Sequence, residues 1–163
     1  MWVRTATKRD LPAVQKLLAS TWHATYDTIY GVDRVSEITA EWHSLAALEK
    51  QLDAPRSEFL LADDGKIIAG MAYARQTSDQ EVKLVQLYVA SDCQGRGVGK
   101  MLLDEIEESF FEVPTITLEV EDKNTGAIAF YSRHGFSTSG QTDNCGLADS
   151  GIAALIMKKN RAA

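Results

Sequence analysis

The run Gln94-Gly95-Arg96-Gly97-Val98-Gly99-Lys100 decides how this chain is read. It stands between a strand-like apolar stretch, residues 84–89, and a helix-like stretch that begins near Val98. Three glycines within five positions let a backbone approach a ligand closely, and a following helix turns its unpaired N–H groups and positive dipole end into the loop. Such a loop is built to hold an anion, and a pyrophosphate suits it best.

Working outward, residues 81–89 read as the strand before the loop. The helix after it carries Met101, Leu102, Ile106 and Phe110 on one face, and Pro114 ends the connection. Residues 115–120 are rich in β-branched side chains and predict the next strand. Residues 124–134 form a further helix with Ala127, Phe130 and Tyr131 at i, i+3 and i+4, and Gly135 is placed to end it. Residues 136–142 and 151–158 close the chain as two strands around an expected mobile loop, 143–150.

Upstream, residues 3–6 predict a short strand. Asp10 is the expected cap of a first helix with Pro12 in its first turn and Leu11, Val14, Leu17, Leu18 and Trp22 at helical spacing. A second helix is expected over residues 32–42, and a third after Ser44, stopped by Pro55. Residues 58–62 and 67–75 flank an Asp-Asp-Gly-Lys turn and predict an antiparallel hairpin. The expected fold is α/β: a mixed sheet with an antiparallel first half and one strand-helix-strand crossover around the glycine run.

At 163 residues the chain suits a single domain, residues 1–163. Its two cysteines, Cys93 and Cys145, stand far apart and outside any ligand cluster, which favours a reducing cytoplasm and no metal. No apolar run approaches a membrane span, and the N-terminus lacks the apolar region of a secretion signal. A net charge of −6 argues against a nucleic-acid footprint. An anion site on so acidic a chain must be made positive locally, and Arg96, Lys100 and Lys123 stand where they could do so.

Two familiar phosphate loops fail. A Walker loop needs a glycine where Gln94 stands and a hydroxyl where Met101 stands. A dinucleotide fingerprint would need its third glycine where Lys100 stands. What fits is Gln94-x-x-Gly97-x-Gly99, after Leu87-Tyr88-Val89 and before Leu102-Leu103, followed by Asn124-x-x-Ala127-x-x-Phe130-Tyr131-x-x-x-Gly135-Phe136. In that order, with a strand between them, these motifs resemble the GCN5-related N-acetyltransferase (GNAT) family.

That resemblance implies a sheet of about seven strands with a splayed central pair and four to five helices. It implies acetyl-coenzyme A as cosubstrate, with the backbone of Gln94, Gly95, Arg96, Gly97, Val98, Gly99 and Lys100 around its pyrophosphate. Leu87, Tyr88 and Val89 would pair with its pantetheine arm, and Asn124 would bind that arm as well. Transfer would run directly to a primary amine, with Tyr131 as general acid toward the leaving thiolate, since a phenol of pKa about 10 can protonate a thiolate whose conjugate acid has pKa about 8.5. The backbone N–H groups of residues 87–89 could meet the oxyanion. A homodimer is a further expectation of the same kind.

The chain departs from the family pattern in two places. Ser91 stands where a proline is frequent, and the strand Lys83-Leu84-Val85-Gln86-Leu87-Tyr88-Val89 lacks the glutamate that many relatives carry as a base. Glu119, Glu121, Glu81 or strand carbonyls acting through water are the alternatives, with Glu119 carried as the candidate.

For the acceptor, Trp22, Tyr26 and Tyr30 recur every four residues with Asp27 among them, a set suited to an amine by cation–π contact and charge. A helix face packed into the core explains Trp22 at least as well. This segment, residues 48–52 and residues 155–158 also resemble the bacterial polyamine acetyltransferase branch. The rival function is a non-catalytic acyl-coenzyme A-binding module. The three histidines, His23, His43 and His134, show no metal spacing and read as surface or packing residues.

Overall fold

The computed structural model describes residues 1–145 and 150–161. The elements follow in the order β1 (Trp2–Thr5), α1 (Leu11–Tyr30), α2 (Val32–Trp42), α3 (Leu45–Asp53), β2 (Ser57–Asp63), β3 (Ile68–Ser78), β4 (Glu81–Val89), α4 (Val98–Ser109), β5 (Thr115–Glu121), α5 (Thr125–Arg133), β6 (Ser137–Thr142) and β7 (Ala154–Asn160). The strands hydrogen-bond in the order β1-β2-β3-β4-β5-β7-β6. The fold is the mixed α/β sheet that the sequence predicts, with five α-helices among the described residues.

The chain packs as two compact units, residues 1–74 with 86–109, and residues 75–85 with 110–163. In the first, α1 buries Leu11, Val14, Leu17, Leu18, Trp22 and Tyr26 and packs on α2 and α3, while α4 packs on β1 and β2. Residues 69–74 of β3 are buried without alternation, the pattern of a strand covered on both faces. Gly70 allows α4 its close approach: a Cβ there would stand 2.8 Å from the Tyr88 carbonyl oxygen, 3.1 Å from Leu102 and 3.3 Å from Val98.

In the second unit, β4 and β5 pair in parallel from Glu81↔Thr115 to Leu84↔Leu118, the crossover geometry that requires α4 between them. That register covers the first four of the nine residues of β4. On its other side β5 pairs with β7 along its whole length, from Thr115↔Asn160 to Glu121↔Ala154. The β6–β7 ladder carries an irregularity between Thr138 and Gly140.

Two expectations are corrected, the Asp10 cap and the start of the last strand. Asp10 makes no side-chain cap on α1; its carboxylate accepts from the Thr7 N–H at 2.7 Å and from the Arg4 guanidinium at 2.8 and 2.9 Å, closing a 3-10 turn at residues 8–10 instead. Arg4 also reaches Asp63 at 2.9 Å, so one guanidinium ties β1 to the turn and to the hairpin. The first helix runs on to Tyr30, where Gly31, with φ of 87°, ends it. The last strand begins at Ala154 rather than Gly151, because Gly151 takes a left-handed φ of 71° and the Ile152 carbonyl accepts from the Cys145 N–H at 2.8 Å. Of the expected mobile loop 143–150, residues 146–149 lie outside the described residues.

Candidate functional site

The glycine run leaves β4 through a short 3-10 turn, Ser91–Cys93, and is exposed from Gln94 to Gly97. The Gln94 side-chain amide donates to the Val89 carbonyl at 3.1 Å, and the Ala90 N–H donates to Ala69 at 2.8 Å, bracing the loop against the strand. Gly95 and Gly97 take φ of 76° and 82°, a region in which L side chains are strained. A Cβ at either position would meet no protein atom within 4 Å.

The first intrahelical bond of α4 runs from the Met101 N–H to the Gly97 carbonyl at 3.0 Å, so the amides of residues 98–100 precede the ladder. No acidic residue stands in that first turn. The cradle therefore suits an anionic diphosphate, with backbone donors, an exposed guanidinium at Arg96 and open space beside its glycines. Lys100 is committed to Asp104 at 2.5 Å, which leaves Arg96 as the loop's cation without an ion pair among the described residues. Cys93 is buried beside Asp92, and desolvation first and Asp92 second push its thiol up, away from a nucleophile's range.

In the second unit, Asn124 caps α5 by accepting from the Ala127 N–H at 3.2 Å. Tyr131 is buried, its ring 5.3 Å from Phe130 and 5.5 Å from Phe136. Glu119 pairs with Lys83 at 3.3 Å, diagonally across the parallel register. Glu121 is buried and accepts from the Lys123 N–H at 3.3 Å. The Cys145 thiol is pushed up to about 11 by burial and then by Glu119 and Glu121.

The acceptor candidates all lie on α1. Trp22 and Tyr26 stack at 4.6 Å and Tyr26 and Tyr30 at 5.9 Å, as a spacing of four requires on a helix. Trp22 and Tyr26 are buried, as the packing alternative expects, while Tyr30 and Asp27 keep partial exposure. The Asp27 carboxylate is held by the His23 Nδ1 at 2.6 Å.

Sequence reasoning read His43 as a surface or packing residue, and it is packed. It ends α2, is 3% exposed, and meets the rings of Trp22 at 5.9 Å and Tyr88 at 6.5 Å. Burial pushes its pKa down to about 4, so it is neutral at physiological pH. Its Nδ1 has no hydrogen-bond partner, nor have the Trp22 indole nitrogen and the Gln86 side-chain oxygen, all three buried. The only sequence signal was a histidine between Trp42 and the helix cap Ser44, a position that fits a surface or a packing residue alike.

A glycine loop at the start of a helix, after a strand of a mixed seven-stranded sheet, is the arrangement of an acyl-coenzyme A N-acyltransferase type of fold. The sequence profile of the Acetyltransferase (GNAT) family matches residues 13–136, and the chain belongs to that family. It is 35% identical over 57 residues to the peptidyl-lysine N-acetyltransferase YjaB of Salmonella typhimurium, covering 35% of this chain and 37% of that protein. It is 31% identical over 98 residues to the N-alpha-acetyltransferase RimI of Mycobacterium tuberculosis, covering 58% of this chain and 61% of that one. Each alignment thus spans less than two thirds of the curated relative's length. In fold it is similar to the PaiA N-acetyltransferase of Thermoplasma acidophilum, solved in complex with coenzyme A, with a TM-score of 0.85, 21% identity and 97% of each chain covered.

Proposed function

We propose that residues 1–163 form one N-acetyltransferase domain that moves an acetyl group from acetyl-coenzyme A directly to a primary amine of a small molecule or peptide. The observation that carries this reading is the cradle of residues 94–100, with two left-handed glycines open on their Cβ side and an uncompensated helix start behind them. Acetyl-coenzyme A, when bound, supplies the acetyl thioester, and the chain's own residues position it and move protons.

The amides of residues 97–100 and Arg96 hold the diphosphate. Leu87, Tyr88 and Val89 offer backbone groups to the pantetheine arm, consistent with a parallel register that covers only residues 81–84 of that strand. Tyr131 donates a proton to the departing thiolate, since a free phenol and a free thiol differ by only about two units in pKa. Glu119 receives the amine's proton through water, with Glu121 as its alternative. No covalent enzyme intermediate is needed, in keeping with two thiols that are both raised.

The test is calorimetric binding of acetyl-coenzyme A together with thiol release across spermidine, amino acids, aminoglycosides and peptide N-termini. Turnover with any of these supports the reading, and Tyr131→Phe should then lower kcat by roughly 10- to 100-fold while the Kd of the coenzyme holds. Tight binding without turnover on the whole panel would instead establish the non-catalytic module, which the lack of a carboxylate on residues 83–89 leaves as the second reading.

A further inference from the structure

We propose that His43, Gln86 and Trp22 form the subsite that selects the acceptor, and that they fit a neutral amine carrying a carbonyl oxygen close by, as a peptide's amino terminus does, in preference to a polyamine. The inference rests on the acetyl-transfer reading above and names the substrate class for it.

Three side chains from three separate elements, α1, the α2–α3 junction and β4, each bring one buried polar atom without a hydrogen-bond partner. Buried polar groups are nearly always paired; Gln51 Oε1 on α3 is a fourth orphan of this unit, and the other three together call for a ligand or a function. They belong to one neighbourhood. The His43 ring touches the rings of Trp22 and Tyr88, and Gln86 stands two residues before Tyr88 on β4, which puts both on the same face of the strand.

The chemistry of the set is specific. Gln86 Oε1 accepts, and Nδ1 of a neutral histidine accepts in one of its two tautomers. The Trp22 indole nitrogen can only donate. Two acceptors match the two N–H bonds of a neutral amine and leave its lone pair free for attack. One donor matches a nearby oxygen, which an α-amino amide has and a polyamine lacks.

Burial keeps His43 neutral at physiological pH, so it neither repels an incoming amine nor loses its acceptor. The rings of Trp22 and Tyr88 border His43, and Trp42 borders Trp22, aromatic faces suited to an aliphatic stem. Tyr88 is only half-buried, so the cluster reaches solvent at its edge.

The experiment compares an alanine-led tetrapeptide amide with spermidine on the wild type and on His43→Phe, His43→Asn and Trp22→Phe. His43→Phe keeps a ring without an acceptor, and His43→Asn restores an amide oxygen near the position of Nδ1. Expected is a rise in KM for the peptide of about 10-fold or more in His43→Phe, with kcat and coenzyme Kd changing far less, and recovery to within roughly 3-fold in His43→Asn. Trp22→Phe should weaken the peptide several-fold more than it weakens spermidine.

An unaltered peptide KM in His43→Phe, or a wild type that prefers spermidine, overturns the proposal. Binding is also read apart from turnover, by following the His43 ring nitrogen resonances as the peptide amide is added to coenzyme A-saturated protein. A peptide-induced shift without acetylation would sink the transferase reading and keep the subsite. Acetylation of some amine with no shift and no KM change would do the reverse.

Discussion

The carbonyl oxygen of Tyr88 stands 2.8 Å from where a Cβ on Gly70 would be. No real Cβ tolerates that distance, and the obstacle is backbone, which cannot rotate away. Gly70 therefore fixes how tightly β3, β4 and α4 close, and through α4 it sets the position of the cradle. Gly70→Ala should cost about 1–3 kcal/mol by overpacking, a fall in melting temperature of roughly 2–10 °C at this chain length. It should also weaken acetyl-coenzyme A binding, by displacing α4. Calorimetric unfolding and binding titrations read the two effects, and an undisturbed Tm would show that the strands can part without penalty.

The two cations of the cradle should separate in a binding titration. Lys100 is already neutralised by Asp104 at 2.5 Å, whereas Arg96 has no such pair among the described residues. Arg96→Ala should raise the coenzyme Kd by about 10-fold, as expected for a charge-assisted contact to phosphate, and Lys100→Ala by only a few-fold. Equal losses would mean that Asp104 releases Lys100 when the anion arrives, which Asp104→Asn would then mimic.

Acid should unfold the protein in two separable steps, the first from His43. Its folded pKa, about 4, lies below the ordinary value of 6.5, so the unfolded chain binds the proton more readily. The contribution is fully present above pH 6.5 and is lost as pH falls toward 4, by up to about 3 kcal/mol. Denaturant unfolding from pH 7 to pH 4 should show this slope in the wild type and a flatter one in His43→Phe. An identical slope in both would place the titrating group elsewhere.

The second step belongs to Asp10 together with Asp63, which shares Arg4, and Asp64; the carboxyls of all three are held below the usual range. The guanidinium of Arg4 and the Thr7 N–H and hydroxyl hold the Asp10 carboxyl far below it. Stability from this network is present above pH about 4 and is lost as pH falls further, because the unfolded carboxylate takes up a proton first. Asp10→Asn should therefore cost about 1–2 kcal/mol at pH 7, with the gap to wild type closing below pH 4.

What could be read from the sequence follows from how far each signal travels along the chain. Local chemistry was legible: Ser44 before and Pro55 after bound α3, Asn124 and Gly135 bound α5, and Glu81–Val89 emerged as β4 residue for residue. The glycine run was legible as a tight loop leading into a helix, because left-handed φ and a helix start are encoded within seven positions.

Contacts between distant segments were not legible. Arg4 and Asp63 meet across 59 residues, and nothing near Asp10 announces that its carboxylate turns back to Arg4 rather than onto α1. His43 illustrates the same limit at the site. A lone histidine between two helices reads as surface or packing alike, and only the packing of α2 beside α1 puts it against Trp22. The start of β7 was misplaced because Gly151 has the left-handed φ that a strand pattern does not reveal.

Gly95 and Gly97 differ from Gly70 in what a side chain there would disturb. At Gly70 the neighbour is the protein itself, so folding and binding should suffer together. At the two loop positions a Cβ meets nothing of the protein, and asparagine or aspartate tolerate a left-handed backbone. A variant library sorted by folding would pass such substitutions, and the same library sorted on coenzyme would discard them. The two loop glycines are where a screen for stability alone would be blind to the loss of the donor.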